Sequence, residues 1–185
     1  MDGLWLENGP FRLSGPQGSE TITVNPHSWH RGDFHVVYVD QPVGTGLSFS
    51  KNSNWARNDA EINRKFYGWL VNFLNIHNYL LASSGNESVE VYFSGESHAG
   101  HYIPSMVNYI LSMNKSSPFK VNVVGAAIGN GWFDPPRQYA VTEFAISKGM
   151  IGVQEGRYFD SLEVKCKENI EKGEGERKNG LVPRM

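Results

Sequence analysis

The hexapeptide Gly95-Glu96-Ser97-His98-Ala99-Gly100 is the part of the sequence best suited to covalent chemistry. Small residues flank the serine: Gly95 before it, Ala99 and Gly100 after it. A serine that attacks a carbonyl must stand on a sharp strand-to-helix turn. Only small neighbours let that strained turn lie close to the sheet and helix beside it. Ala99 stands where the second glycine of the usual Gly-x-Ser-x-Gly elbow would be. The pentapeptide alone is common, and its weight comes from a strand pattern ending at Ser94 and a helical pattern starting just after it. The competing reading makes Ser97 the N-cap of that helix.

A serine hydroxyl also needs a base within hydrogen-bond reach and donors for the developing oxyanion. The backbone N–H of His98, directly after the serine and at a helix N-terminus, is one such donor. The base is harder to find. In an elbow fold the chain order is Ser, then Asp or Glu, then His. The six histidines are His27, His30, His35, His77, His98 and His101, and none follows His101. Acids such as Asp134 and Asp160 do follow Ser97. His98 and His101 would have to fold back onto the serine to serve. A nucleophile without a base in the expected order reads as a non-catalytic member of its fold or as an incomplete chain.

The elements that would position these groups follow from hydrophobic periodicity. Phe11-Arg12-Leu13 and Thr21-Ile22-Thr23-Val24 read as short strands of a hairpin. His35 to Asp40 is a β-branched run before the turn residues Gln41 to Gly46, which predicts a buried central strand. Ile62, Phe66, Trp69, Leu70, Phe73, Leu74 and Ile76 recur every three or four residues. They predict an amphipathic helix over 59–82, capped by Asn58 or Asp59 and ended by Ser83 to Asn86. Val89 to Ser94 is a strand. The helix after the elbow carries Tyr102, Ile103, Met106, Val107, Ile110 and Leu111, and tolerates Pro104 in its first turns. Lys120 to Ile128 is a third strand, closed by Gly129-Asn130-Gly131. Further helices are expected over 139–148, stopped by Gly149, and over 158–171. Strands alternating with crossovers of helical length predict a parallel α/β sheet. The domain is expected to span 1–167, with a charged, disordered tail over 168–185.

Composition narrows the function. The 185 residues are 39% hydrophobic and 12% aromatic, enough for a core, which excludes a wholly disordered chain, a collagen or a coiled coil. A formal net charge of −2 offers no electrostatic footprint for nucleic acid or an anionic membrane. No apolar run approaches the roughly 18 residues of a spanning helix. The N-terminal residues lack the basic and apolar regions of a signal peptide. Cys166 is the single cysteine, so neither an internal disulfide nor a CxxC metal pattern exists.

Four segments, in order, resemble the serine carboxypeptidases. Residues 95–104, Gly-Glu-Ser-His-Ala-Gly-His-Tyr-Ile-Pro, are similar to that family's GESYAGHYIP. Residues 40–48 resemble DQPVGTGFS, and residues 128–135 resemble its GNGWIDP segment. Residues 1–10 resemble the stretch directly after the family's NGGPGCSS motif. The pattern over 125–151 looks most like the pheromone-processing carboxypeptidases of the fungal late Golgi. The resemblance runs over roughly 1–165 and implies an α/β-hydrolase fold, partial, with the start of an inserted helical lid after about Gln138, and no metal or cofactor.

The resemblance implies that Ser97 is the acylating nucleophile and the His98 N–H one half of the oxyanion hole. It also implies that Glu96 and Glu7 bind the substrate's C-terminal carboxylate. Two ionised carboxylates would repel that group, whereas protonated acids donate hydrogen bonds to it, and burial favours the protonated form. Activity greatest at acid pH is therefore expected of the complete enzyme. Glu96 could instead serve the helix N-terminus, and Glu7 could be a solvated loop acid. Trp5, Trp132 and Phe133 could line a substrate pocket or simply pack. Asp134 is structural in the family. Asn86-Glu87-Ser88 and Asn114-Lys115-Ser116 are glycosylation sequons. Cys166 would pair with a second cysteine in the family's setting.

The sequence departs from the family at both ends. It starts just after NGGPGCSS, which leaves out the second oxyanion N–H and a substrate-binding Asn, and it stops before the family's Asp and His. A fragment is expected, with little turnover by itself. The expected function is serine-type removal of C-terminal residues from peptides in the secretory pathway, the vacuole or lysosome, or outside the cell. The alternatives are a non-catalytic module that holds peptide C-termini, and an esterase or acyltransferase.

Overall fold

The structure is a computed structural model that describes residues 2–52, 54–77, 79 and 88–172. It divides into two units, Met1–Ile76 and His77–Met185.

The first unit opens with α1 (Asp2–Trp5), followed by β1 (Phe11–Ser14) and β2 (Thr21–Val24). The two strands pair antiparallel from Phe11↔Val24 to Ser14↔Thr21, the expected hairpin. Polar groups tie down the loop between α1 and β1. The buried Asn25 donates from Nδ2 to Gly9 O at 2.9 Å, and its Oδ1 accepts from His27 N at 3.1 Å. The Ser28 hydroxyl donates to Asn8 O at 2.8 Å, and the Tyr38 hydroxyl to the same oxygen at 2.9 Å. Burial raises the Tyr38 phenol above its ordinary pKa.

The strand expected over His35 to Asp40 is not there. Val37 is 48% exposed and Val39 37%, and no strand among the described residues pairs with the segment. β-Branched residues favour extended backbone, but a strand exists only where a neighbour receives its hydrogen bonds.

The helix α2 (Asp59–Ile76) is capped by Asn58, whose Oδ1 accepts from Glu61 N at 3.0 Å, while Glu61 Oε2 accepts from Arg57 N at 3.0 Å. Ile62, Phe66 and Leu70 form its buried stripe. Most of the remaining expected helix and its Ser83 to Asn86 stop lie outside the described residues.

In the second unit β3 (Glu90–Glu96) runs into α3 (Ala99–Met113), then β4 (Asn122–Gly129). The two strands are parallel, from Glu90↔Asn122 to Glu96↔Gly129, with an irregularity between Val91 and Tyr92. Ile103, Met106 and Ile110 on α3 and Val121 before β4 are buried, each contributing about 1.5–3 kcal/mol. Asn114 fastens the end of α3 to the start of β4: its Nδ2 donates to Val121 O at 2.8 Å and its Oδ1 accepts from Val121 N at 3.0 Å. Of the two sequons, Asn86 lies outside the described residues.

Of the helix expected over 139–148 only Thr142–Ser147 (α5) is helical, and residues 139–141 separate it from a short helix that was not expected, α4 (Pro135–Gln138). The break has a tertiary cause. Glu163 Oε1 accepts hydrogen bonds from Val141 N at 2.7 Å, Thr142 N at 2.7 Å and the Thr142 hydroxyl at 2.6 Å, so a new helix starts there. Glu163 belongs to α6 (Val153–Glu171), which begins five residues before the expected 158. It ends at Glu171, the end expected for it, and residues 173–185 lie outside the described part. An apolar cavity of about 310 Å³ between α5 and α6 is lined by Tyr139, Val141, Phe159, Leu162 and the half-buried Cys166.

Candidate active site

Ser97 stands between the last residue of β3 and the first turn of α3, with φ at +55°. For a residue with a Cβ that left-handed conformation costs about 1–2 kcal/mol. Backbone hydrogen bonds hold it from both sides. Ser97 N donates to Gly129 O at 3.0 Å, extending the sheet ladder by one residue. Ser97 O accepts from Trp132 N at 2.8 Å and from Gly100 N at 3.0 Å.

The small neighbours are required by close approach. A Cβ on Gly95 would lie 2.4 Å from the Ala99 Cβ. One on Gly100 would lie 2.5 Å from Trp132 N and 2.7 Å from the Gly131 carbonyl carbon. Neither contact can be relieved by turning a side chain. The start of α3 is thus pressed against the Gly131–Trp132 backbone, and Ser97 projects from the junction with its side chain exposed. The capping position belongs to His98, and no side-chain capping bond is made. Ser97 therefore does not act as the N-cap.

The His98 backbone lies at the positive end of α3, where the first N–H groups have no helical acceptor. Its ring turns into an aromatic cluster. It stacks on Trp132 at 5.4 Å and 28°, and meets Tyr102 edge-on at 4.6 Å and 78°. The His101 ring lies 6.0 Å from Trp132 in the same cluster. Trp132 is half-buried, and its indole Nε1 is buried without an acceptor among the described residues. Phe133 is 67% exposed. Trp5, in the first unit, packs on Phe11 at 5.8 Å.

Glu96 ends β3 opposite Gly129 and is exposed. Glu7 is also exposed, on the loop before β1, and its carbonyl accepts from Asn25 Nδ2 at 3.4 Å. Neither acid therefore has, among the described residues, the burial that would favour its protonated form. Asp134 is engaged locally, with its Oδ2 2.5 Å from Arg137 Nη1. The hydrogen bond and charge of that carboxylate raise the Arg137 pKa. Among the described residues no cluster of three or more His, Cys, Asp or Glu could hold a metal ion, and no helix is long and apolar enough to cross a membrane.

Two features were not singled out from the sequence. Asn130 adopts φ +44° at the end of β4, beside the elbow. Gln138 grips the loop that follows: its Nε2 donates to Gly131 O at 2.6 Å, and its Oε1 accepts from Phe133 N at 2.8 Å and Asp134 N at 2.7 Å. The run Gly129-Asn130-Gly131 signalled a turn, but nothing in Gln138 itself signalled the grip.

A family model described as serine carboxypeptidase matches residues 1–181. The chain is 39% identical over 180 residues to serine carboxypeptidase S10 family member 2 of Dictyostelium discoideum, covering 94% of this chain and 31% of that protein. It is 36% identical over 179 residues to a pheromone-processing carboxypeptidase of Phytophthora infestans, covering 94% of this chain and 29% of the relative. The fold matches the crystal structure of Kex1(delta)p, a prohormone-processing carboxypeptidase from Saccharomyces cerevisiae. The TM-score is 0.76 at 29% identity, over 95% of this chain and 37% of the other. The chain thus spans about a third of the length of these relatives.

Proposed function

The chain belongs to the serine carboxypeptidase family and carries a partial α/β-hydrolase fold; from that premise, we propose that the protein of which it is part removes C-terminal residues from peptides through an acyl-enzyme on Ser97. The observation that carries this reading is Ser97 itself: an exposed serine at φ +55°, clamped at a strand-to-helix junction that only small neighbours permit. Such strain persists where surrounding structure imposes it, and it clusters at functional sites.

In this reading the Ser97 Oγ attacks the carbonyl of the terminal peptide bond. Its proton passes to a histidine contributed from beyond residue 185, which then protonates the leaving amine. The oxyanion is held by the His98 N–H, aided by the start of α3. Glu96 and Glu7 are assigned to the terminal carboxylate of the peptide, to which a carboxyl can donate only while it carries a proton. By themselves the 185 residues should turn over little, because losing the base costs on the order of 10⁴–10⁶ in rate. The substrates we assign are peptides of the secretory pathway.

The test is labelling of the full-length product by a fluorophosphonate, with release of the last residue from blocked dipeptides. Labelling lost in Ser97→Ala, with turnover rising as pH falls from 7 to 5, is the expected result. Absence of labelling in the full-length product points to a non-catalytic binder. Turnover of esters but not peptides points to an esterase.

A further inference from the structure

We propose that Gln138 is a positioning residue for the nucleophile junction, holding the Gly131–Asp134 loop so that the Trp132 N–H fixes the peptide plane shared by Ser97 and His98. This inference rests on the reading of Ser97 as nucleophile and of the His98 N–H as oxyanion donor.

The Ser97 carbonyl and the His98 N–H belong to one planar trans peptide unit and point in opposite directions. Whatever holds the carbonyl therefore aims the N–H. The carbonyl is held by Trp132 N at 2.8 Å. Trp132 sits in a loop with little regular structure of its own, between the end of β4 and α4. That loop is fastened by one carboxamide, which spends both of its ends on it: Nε2 on Gly131 O, and Oε1 on Phe133 N and Asp134 N. The three bonds bracket Trp132 on both sides. Gly131 is also the backbone against which Gly100 packs, so its placement sets how closely α3 approaches the loop.

Gln138 does this while exposed. It therefore contributes little buried apolar area, and its removal should alter geometry more than folding. Without the grip the loop can drift from the Ser97 carbonyl. The Ser97 carbonyl then keeps only the longer bond from Gly100 N at 3.0 Å, the peptide plane can tilt, and φ at Ser97 can shift from +55°. Both the Oγ and the His98 N–H would be misaimed together. Oxyanion donors act on the transition state and not on the bound substrate, so the loss should fall on kcat and leave KM nearly unchanged.

Glu in place of Gln138 gives a signature that a purely structural role would not. A carboxylate keeps the two acceptor bonds but presents a second oxygen to Gly131 O, acceptor against acceptor. Once protonated, near the ordinary Glu pKa of about 4.3, it can donate to that carbonyl again. In the full-length product, Gln138→Ala should lower kcat at least about tenfold with KM within about twofold, given that an entire oxyanion donor is worth 10²–10³. Gln138→Glu should be as impaired at pH 6.5 and recover towards wild type near pH 4. Arg157→Gln, an exposed change on α6, should leave kcat unchanged. Wild-type kcat in Gln138→Ala overturns the proposal. So does a loss that tracks the folded fraction in near-UV circular dichroism, without acid recovery of Gln138→Glu. If wild type itself releases no terminal residue, the functional reading fails separately. The positioning is then decided on this chain by hydrogen exchange: the Trp132 amide must exchange faster in Gln138→Ala than in wild type or Arg157→Gln, and equal exchange refutes it.

Discussion

Thr142 gives both its backbone N–H and its hydroxyl to one oxygen of Glu163, twenty-one residues later in the chain, at 2.7 and 2.6 Å. Thr142 is 2% exposed, so these donors have little water to fall back on. The Thr142 hydroxyl is the largest influence holding the Glu163 carboxyl below its ordinary pKa; its backbone N–H, that of Val141 and the charge of Lys167 add to it. Glu163→Ala should cost about 1–3 kcal/mol, from loss of hydrogen bonds to a charged acceptor and stranding of buried donors. Urea unfolding followed at 222 nm measures it.

The same pair fixes the sign of a pH dependence. A carboxyl whose pKa is lowered by folding adds stability above its unfolded pKa and loses it as pH falls through the folded value. The difference in urea midpoint between wild type and Glu163→Gln should be full at pH 6–7. It should shrink as pH drops below about 4, the ordinary carboxylate range. A gap that is constant from pH 7 to pH 3 would count against the assignment.

Ser97→Gly separates stability from activity. Glycine tolerates φ +55° without the Cβ penalty, so the substitution should stabilise the chain by about 0.5–1 kcal/mol. Ser97→Ala keeps the penalty and should be close to neutral. Both should abolish fluorophosphonate labelling of the full-length product.

Gly100→Ala should do the reverse. Its methyl would sit 2.5 Å from Trp132 N, against backbone that cannot rotate away. A cost of about 1–3 kcal/mol is expected from overpacking, with weakened labelling of Ser97. Thermal melts on this chain and labelling rates on the full-length product read the two effects.

Asn114→Ala should destabilise by about 1–3 kcal/mol, because both of its amide bonds serve Val121, which is 1% exposed. The Nδ2 that donates to Val121 O is also the atom a glycan would modify at this sequon. The difference in urea midpoint between wild type and Asn114→Ala measures the cost.

Much of the second unit was legible from local pattern. β3, the elbow, α3 and β4 lie within a few residues of where periodicity puts them, since alternation and three-four spacing are consequences of burying one face. The hairpin and the Asn58 cap were legible for the same reason. The Ser97 junction could be read because glycine and alanine there answer a steric demand that few other residues meet.

What failed depended on partners distant in sequence. The run from His35 to Asp40 has strand composition but no strand beside it among the described residues. Residues 139–148 have helical spacing, but Glu163 starts a new helix at Thr142. Burial that would favour protonated Glu7 and Glu96 depends on what lies against them in space, and both are exposed. Gln138 looked like any polar residue near a turn, and its role exists only because a loop folds back around its amide. The sequence by itself determined the family, the order of the elements and the position of the candidate nucleophile, because these follow from residue type and short-range spacing. Only the tertiary structure decided how the Ser97 peptide plane is held and where the helices break, because a hydrogen bond's strength depends on where its partner lies in space.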